Sequence, residues 1–136
     1  MTTILVDTHV LHWWTAEPKR LSRAASRAIA SADEVAVADI TWSELAQLEA
    51  RARILVQTSV GSWLAALAAV VRTVPIPPAV AEVAARLPAT FPGDPGEPGD
   101  PADRLIYATA VEHGWRLVTK DARMHGHPVP TPVTTW

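Results

Sequence analysis

Asp7, Glu44, Asp103 and Asp121 are the residues of this chain whose types and places could do chemistry together. Each occurs where the chain leaves a strand or loop and enters a helix. Asp7 follows the β-branched run TILV, and Glu44 comes early in the helix after EVAVA. Asp103 is in the first turn of a helix behind a Pro/Gly-rich loop, and Asp121 comes two residues after WRLVT. In an open parallel α/β sheet such points gather beyond the carboxyl ends of the strands, where ligands bind. Carboxylates brought together repel, and at least one acquires a raised pKa unless a cation sits among them. The chain has no cysteine, so an oxygen cluster selects a hard divalent ion, Mg²⁺ or Mn²⁺, over zinc. Such ions leave positions open for phosphate oxygens, which is the chemistry of phosphodiester hydrolysis.

Each acid also has an ordinary reading as a helix cap. Asp7 and Asp121 could cap the helices behind them. Thr41-Trp-Ser-Glu44 matches a capping box, and Asp100-Pro101-Ala102-Asp103 is a good helix start. Four caps need not meet in space, whereas this topology predicts that the four acids do.

The elements that must position them alternate. Strands are predicted at 3–6, 34–38 and 115–119, with 133–136 as a last one, and 74–77 is extended. Helices are predicted at 7–14, 20–32, 41–54, 62–71, 78–87 and 102–113, with a short one at 120–126. In the second helix Leu21, Ala24, Ala25, Ala28 and Ile29 form the apolar stripe and Arg20, Arg23 and Arg27 the wet face. The helix at 62–71 is apolar nearly all round and predicts burial or a partner surface. Strand–helix alternation predicts an α/β domain around a mostly parallel sheet, with residues 1–136 as a single domain. Gly93-Asp94-Pro95, Gly96-Glu97-Pro98 and Gly99-Asp100-Pro101 are triplets, too few for a collagen-like assembly, and read as a lengthened flexible loop.

Composition narrows the classes. Hydrophobic residues make up 49% and charged residues 19% of the chain, which is globular rather than disordered. Nothing calls for an oxidising compartment, a secretory signal or a membrane span, so a cytoplasmic protein is expected. The net charge of −2 is no footprint for strong non-specific nucleic-acid binding. Ten of the twelve basic residues are nevertheless arginines, and some cluster. Arg104, Lys120 and Arg123 lie beside three of the acidic elements and could hold flanking phosphates; as solvated surface charges they would do nothing. Lys19-Arg20-x-x-Arg23 and Arg51-x-Arg53 are more distant candidates for a nucleic-acid track. His9 and His12, with His125 and His127, match no recognised zinc spacing.

The stretches ILVDTHVLHWW, VADITWSELA, GDPADRLIYATA and LVTKDARM, in this order and at this spacing, resemble the PIN-domain ribonucleases, specifically the VapC-type toxins of prokaryotic toxin–antitoxin pairs. The likeness covers nearly the whole chain. It implies a PIN-like three-layer α/β/α domain and a Mg²⁺- or Mn²⁺-dependent endoribonuclease. Its acidic pocket, both metal-binding and catalytic, would be Asp7, Glu44, Asp103 and Asp121. The same resemblance makes Asp100 an outer ligand or simply the cap, and gives Thr8 a hydroxyl that could orient a metal-bound water. It implies products with 5′-phosphate and 3′-hydroxyl ends, through one metal or two. The triplet insertion departs from the family's shorter loop and makes Asp94 an alternative to Asp100. The implied partners are an RNA substrate, a small antitoxin that blocks the pocket with a basic side chain, and a homodimer or higher toxin–antitoxin assembly. The apolar helix 62–71 and exposed tryptophans are the docking surfaces expected.

Two other readings compete. A phosphotransfer domain with Asp7 as nucleophile, as in haloacid-dehalogenase-like phosphatases, would want a second Asp where His9 stands, and a receiver-like domain would want an acceptor that Asp39 fits poorly. An interaction module whose acids merely cap helices would bind no metal and cut nothing.

Overall fold

A computed structural model describes residues 1–93, 96–125 and 134–136. Five parallel strands form one sheet in the order β3-β2-β1-β4-β5. They are β1 (Thr3–Val6), β2 (Glu34–Ala38), β3 (Arg72–Val74), β4 (Arg116–Val118) and β5 (Thr134–Thr135). The apolar run of β1 suits its place at the centre of the sheet, covered on both faces. There Leu5 pairs with Ala36 of β2 and Leu117 of β4. The chain builds β2 and β3 on one side of β1 and then returns to place β4 on the other. The reversal of direction lies between β1 and β4, so the crevice outside their carboxyl ends is the topological switch point where ligands bind.

Alternation along the strands makes two cores. Ile4, Val6, Val37 and Val118 share one face with Val10, Leu11, Ala25, Ala28, Ile29, Leu45 and Leu67. These come from α1 (Thr8–Ala16), α2 (Arg23–Ser31), α3 (Ile40–Ala50) and α4 (Val60–Ala68). Leu5, Ala36, Ala38, Val74 and Leu117 face the other way, onto Ile106, Tyr107 and Ala110 of α6 (Pro101–His113) and onto Phe91 and Met124. Helix α5 (Pro78–Arg86) packs on α6 through Val80, Ala84 and Ala108. The result is the expected three-layer α/β/α arrangement.

Element ends differ from expectation for identifiable reasons. Helix α2 starts at Arg23, not residue 20, because the Ser22 hydroxyl accepts from the Ala25 amide at 3.0 Å; Pro18–Arg20 forms a separate 3₁₀ turn. Helix α3 stops at Ala50, where Ala52 enters the left-handed region at φ 56° and turns the chain. Ser59 caps α4 and sets its start earlier than residue 62. Residues 72–74 form a strand that was not expected. Residues 122–125 of the expected short helix are turns, and Gly126 lies outside the described residues, as do Asp94 and His127. Among the described residues no helix is long and apolar enough to cross a membrane. In α4 only Leu67 is buried. No tryptophan is exposed: Trp13 is buried and the other five are half-buried, so the expected exposed indole surface is absent.

The triplet loop is tied down at its end. A Cβ on Gly99 would lie 1.9 Å from the Phe91 carbonyl oxygen, and the Gly99 amide donates to Ala89 at 3.0 Å. Glycine is required there by the close approach of two backbones.

Candidate active site

Asp7 leaves β1 and caps α1, as its sequence position suggested, yet capping uses only one of its oxygens. Oδ1 accepts from the Thr8 amide at 2.8 Å, and Oδ2 accepts from the Thr119 hydroxyl at 2.8 Å. Thr119 follows β4 directly, so this bond spans the switch point. Asp7 is 8% exposed. Burial pushes its carboxyl above the ordinary value, against the Thr119 and Thr8 hydrogen bonds and the His9 charge; Asp121 adds to the rise.

Glu44 is placed by threonines. The Thr8 hydroxyl donates to Glu44 Oε1 and lies 3.1 Å from the Thr41 hydroxyl, with Thr8 and Thr41 both buried. The capping box at Thr41 therefore does not form. Helix α3 begins at Ile40, so Thr41 already lies inside it and takes no side-chain cap. The Thr8 hydroxyl thus holds Glu44. Burial raises the Glu44 pKa, and the negative charges of Asp7 and Asp100 raise it further, against the hydrogen bond from Thr8.

On α6 the cap and the second acid divide their work. Asp100 Oδ1 accepts from the amides of Ala102 at 2.8 Å and Asp103 at 3.4 Å. The Asp103 carboxylate receives no hydrogen bond among the described residues. Its pKa is pushed up from 3.8 to about 7, first by burial and then by Asp7, Asp100, Glu44 and Asp121. That rise prevails over the positive end of the α6 dipole, which favours a charged carboxylate. Oxygens of Glu44, Asp100 and Asp103 lie within 4.8 Å of one another. Such a set of three carboxylates without imidazole or thiolate fits a hard divalent cation.

Asp7, Asp103 and Asp121 line one cleft of about 390 Å³ with His9, Trp13, Arg20, Lys120 and Arg123. Asp121 differs from the other three acids. Burial works against its charge, but three hydrogen bonds from Arg123, two of its guanidinium and one of its amide, with the charges of Arg123 and His125, hold its carboxyl below the ordinary value.

Residues 4–128 match the family model described as the PIN domain. The chain belongs to the PIN-domain family. Over all 136 residues, and over the full length of both chains, this PIN domain is 60% identical to Ribonuclease VapC22 of Mycobacterium tuberculosis. Two solved structures share its fold. A toxin–antitoxin complex from Klebsiella pneumoniae matches with a TM-score of 0.62 and 24% identity, covering 95% of this chain and 97% of that one. VapBC2 from Rickettsia felis, bound to a DNA fragment from its promoter, matches with a TM-score of 0.69 and 13% identity, covering 99% and 100%.

Within the PIN domain, all four acids singled out in the sequence reach one neighbourhood, with Asp100 beside them. Arg104 is engaged elsewhere. Its guanidinium donates to the carbonyls of Ala84, Leu87, Pro88 and Phe91 at 2.5 to 3.0 Å, which leaves it committed to the end of α5 and the loop behind it. It ties that loop to the helix carrying Asp103. Lys120 and Arg123 do line the cleft, Arg123 as the partner of Asp121. His12 pairs with Glu17 at 3.3 Å and His9 lies against Trp13, so the two histidines do not share a ligand. The sequence reading missed Thr119 and Thr41. The signal available for Thr119 was its place at the end of a predicted strand, in the position that Asp7 occupies after β1.

Proposed function

We propose that this PIN domain is an endoribonuclease dependent on Mg²⁺ or Mn²⁺, acting in the cytoplasm as the toxin of a toxin–antitoxin pair. One observation carries the reading: Asp103 is half-buried among four other acids that, with burial, push its pKa up to about 7, and it receives no hydrogen bond among the described residues. A cap would have a donor, and Asp100 already provides the cap of α6. The interaction-module reading is disfavoured because neither Glu44 nor Asp103 caps a helix. A nucleophilic Asp7 is disfavoured because both its oxygens are held by donors.

In this proposal Glu44, Asp100 and Asp103 hold the cation, with Asp7 and Asp121 on the cleft side completing the pocket. A divalent ion bound there supplies polarisation of the phosphoryl oxygens and a lowered pKa for water. Asp7, kept in one orientation by Thr119 and Thr8, fixes the floor on which the scissile phosphate is presented. Glu44, set by Thr8, would orient the attacking water beside the cation. Cleavage leaves 5′-phosphate and 3′-hydroxyl ends. The named activity of the 60% identical relative and the toxin–antitoxin assemblies among the structural neighbours support the reading. The expected partner is a small antitoxin that lays a basic side chain into the acidic pocket.

The test is incubation of total RNA with the purified chain and with Asp103→Asn, in Mn²⁺ and in EDTA, followed by mapping of new 5′ ends. Discrete ends that need both Mn²⁺ and Asp103 are expected. Identical RNA in all four samples overturns the assignment.

A further inference from the structure

A polyanion drawn to a cleft that contains Asp7, Asp103 and Asp121 meets repulsion that must be offset along the bound strand. The cations lining that cleft are not equivalent. Arg123 is engaged with Asp121 through two side-chain contacts of 3.0 Å. Arg20 and Lys120 are held in another way: the Arg20 guanidinium lies 4.6 Å and the Lys120 ammonium 5.7 Å from the centroid of the Trp13 ring. Trp13 is 8% exposed, and the rings of His9 and Trp136 lie 5.7 Å from it. The indole is thus a fixed support. A cation over an aromatic face is restrained in position, yet its N–H donors stay available. Arg20 has one long contact, 3.7 Å to Glu17, and its side chain is 55% exposed. Lys120 makes no salt bridge among the described residues.

We propose that Arg20 and Lys120, carried on Trp13, form a phosphate subsite that binds a backbone phosphodiester of a single RNA strand beside the one presented to the acids. The proposal rests on the ribonuclease reading for its ligand and adds residues from two segments that meet only in the fold. The planar guanidinium fork suits two phosphate oxygens at once, and the ammonium adds a point charge. The cleft then has two ends: carboxylates that need a cation, and cations that need an anion. A strand with one phosphate on the cations, and the next held at the carboxylates through a divalent ion, would satisfy both.

The experiment measures binding of a labelled mixed-sequence RNA 12-mer to the full chain by fluorescence anisotropy, in EDTA and over a range of NaCl. It compares the wild type, Arg20→Gln, Lys120→Gln, the double variant, Arg20→Lys, and Arg27→Gln as an exposed arginine of α2. Each single Gln variant is expected to weaken binding about tenfold. Each should lower the slope of log affinity against log salt by about 0.7, the value for one single-strand phosphate contact. Arg20→Lys should keep the slope while losing part of the affinity, and Arg27→Gln should change neither. A merely structural role for Arg20 would move the melting temperature and leave the slope intact. A double variant that binds with wild-type affinity and slope overturns the subsite. Cleavage in Mn²⁺ is followed in parallel. RNA bound with the expected slopes but never cut refutes the nuclease and leaves the subsite standing, whereas RNA cut normally with unaltered slopes refutes the subsite alone.

Discussion

Asp103→Asn separates a metal-site acid from a helix cap by the sign of its effect. In the folded protein the Asp103 pKa is raised from 3.8 to about 7. Between those values the folded state binds more protons than the unfolded state, so stability falls as pH rises through the window. The loss is absent below the unfolded value and complete above about 7. At 1.36 kcal/mol per pK unit the full shift corresponds to ~4 kcal/mol. Asp103 is half-buried and meets water, which screens the repulsion and reduces the figure to about 1–2 kcal/mol. Asparagine keeps the shape and removes the charge. In EDTA at pH 8 the variant is therefore expected to melt roughly 3–8 °C higher than the wild type, the range that such a change produces in a domain of this size. The gain should shrink steadily as pH is lowered toward 4. Saturating Mn²⁺ should reverse the order. A ligand at a hundred times its Kd stabilises the folded state by about 2.7 kcal/mol, and the variant has lost one of the oxygens that would hold it. Thermal melts of both proteins, with and without Mn²⁺, across pH 5 to 8.5 measure all of this. A variant that is neutral or less stable in EDTA at pH 8, with no reversal in Mn²⁺, refutes the argument that like charges are stored at this position.

Three further outcomes follow from the geometry. Thr119→Val keeps the side-chain volume but removes the donor to Asp7; hydrogen bonds to charged groups contribute about 1.5–3 kcal/mol. It should lower the melting temperature in Mn²⁺ and raise the Mn²⁺ needed for half-maximal cleavage, and no change in either would show that Thr119 does not position Asp7. Arg104→Ala strips the donor from four carbonyls and should cost about 2–4 kcal/mol in urea unfolding. Arg104→Lys should recover less than half of it, because an ammonium cannot span the four; a full recovery would refute the clamp. Arg123→Gln removes the guanidinium whose hydrogen bonds, and then charge, help hold the Asp121 pKa below its ordinary value against burial. A carboxyl so depressed stabilises the fold above the unfolded pKa and loses that contribution as pH falls through the folded pKa. The variant should therefore be less stable at pH 7 but no less stable near pH 2, with the Asp121 carboxyl titrating higher by NMR; an unmoved titration would mean the ion pair does not form in solution.

Much of the fold was legible because the signals were local and repeated. TILV, EVAVA and WRLVT read as buried strands, and all three fall in the sheet at β1, β2 and β4. The Asp100-Pro101 start and Gly114 stop of α6 were equally plain, with Gly114 at φ 68°. Misreadings arose where a tertiary partner outweighed a local rule. Thr41 to Glu44 satisfies the capping-box pattern, but Thr8 comes from 33 residues away and takes both side chains. Arg104 looked like a surface charge next to an acid until four carbonyls from residues 84 to 91 claimed it. Strand β3 was missed because Arg72-Thr73-Val74 is short and its pairing with β2 is visible only in three dimensions.

The site follows the same division. Carboxylates could be found from sequence because helix entries after strands lie on one side of a parallel sheet, so position along the chain stood in for position in space. The hydroxyls that hold them were legible only in part: Thr8 stood out beside Asp7, but its bond to Glu44 did not. Thr8, Thr41 and Thr119 are common residues in ordinary places, and their selection becomes intelligible only when each is asked what its neighbour lacks. Asp7, Glu44 and Asp121 each receive a donor, from Thr119 and Thr8, from Thr8, and from Arg123. Those donors fix three carboxylates around a fourth that receives none among the described residues. In the proposed function, a fold that gives its other acids donors and leaves Asp103 with none among the described residues has arranged a position suited to a divalent cation. The unsatisfied residue, rather than the number of acids, is what distinguishes this pocket from a cluster of caps.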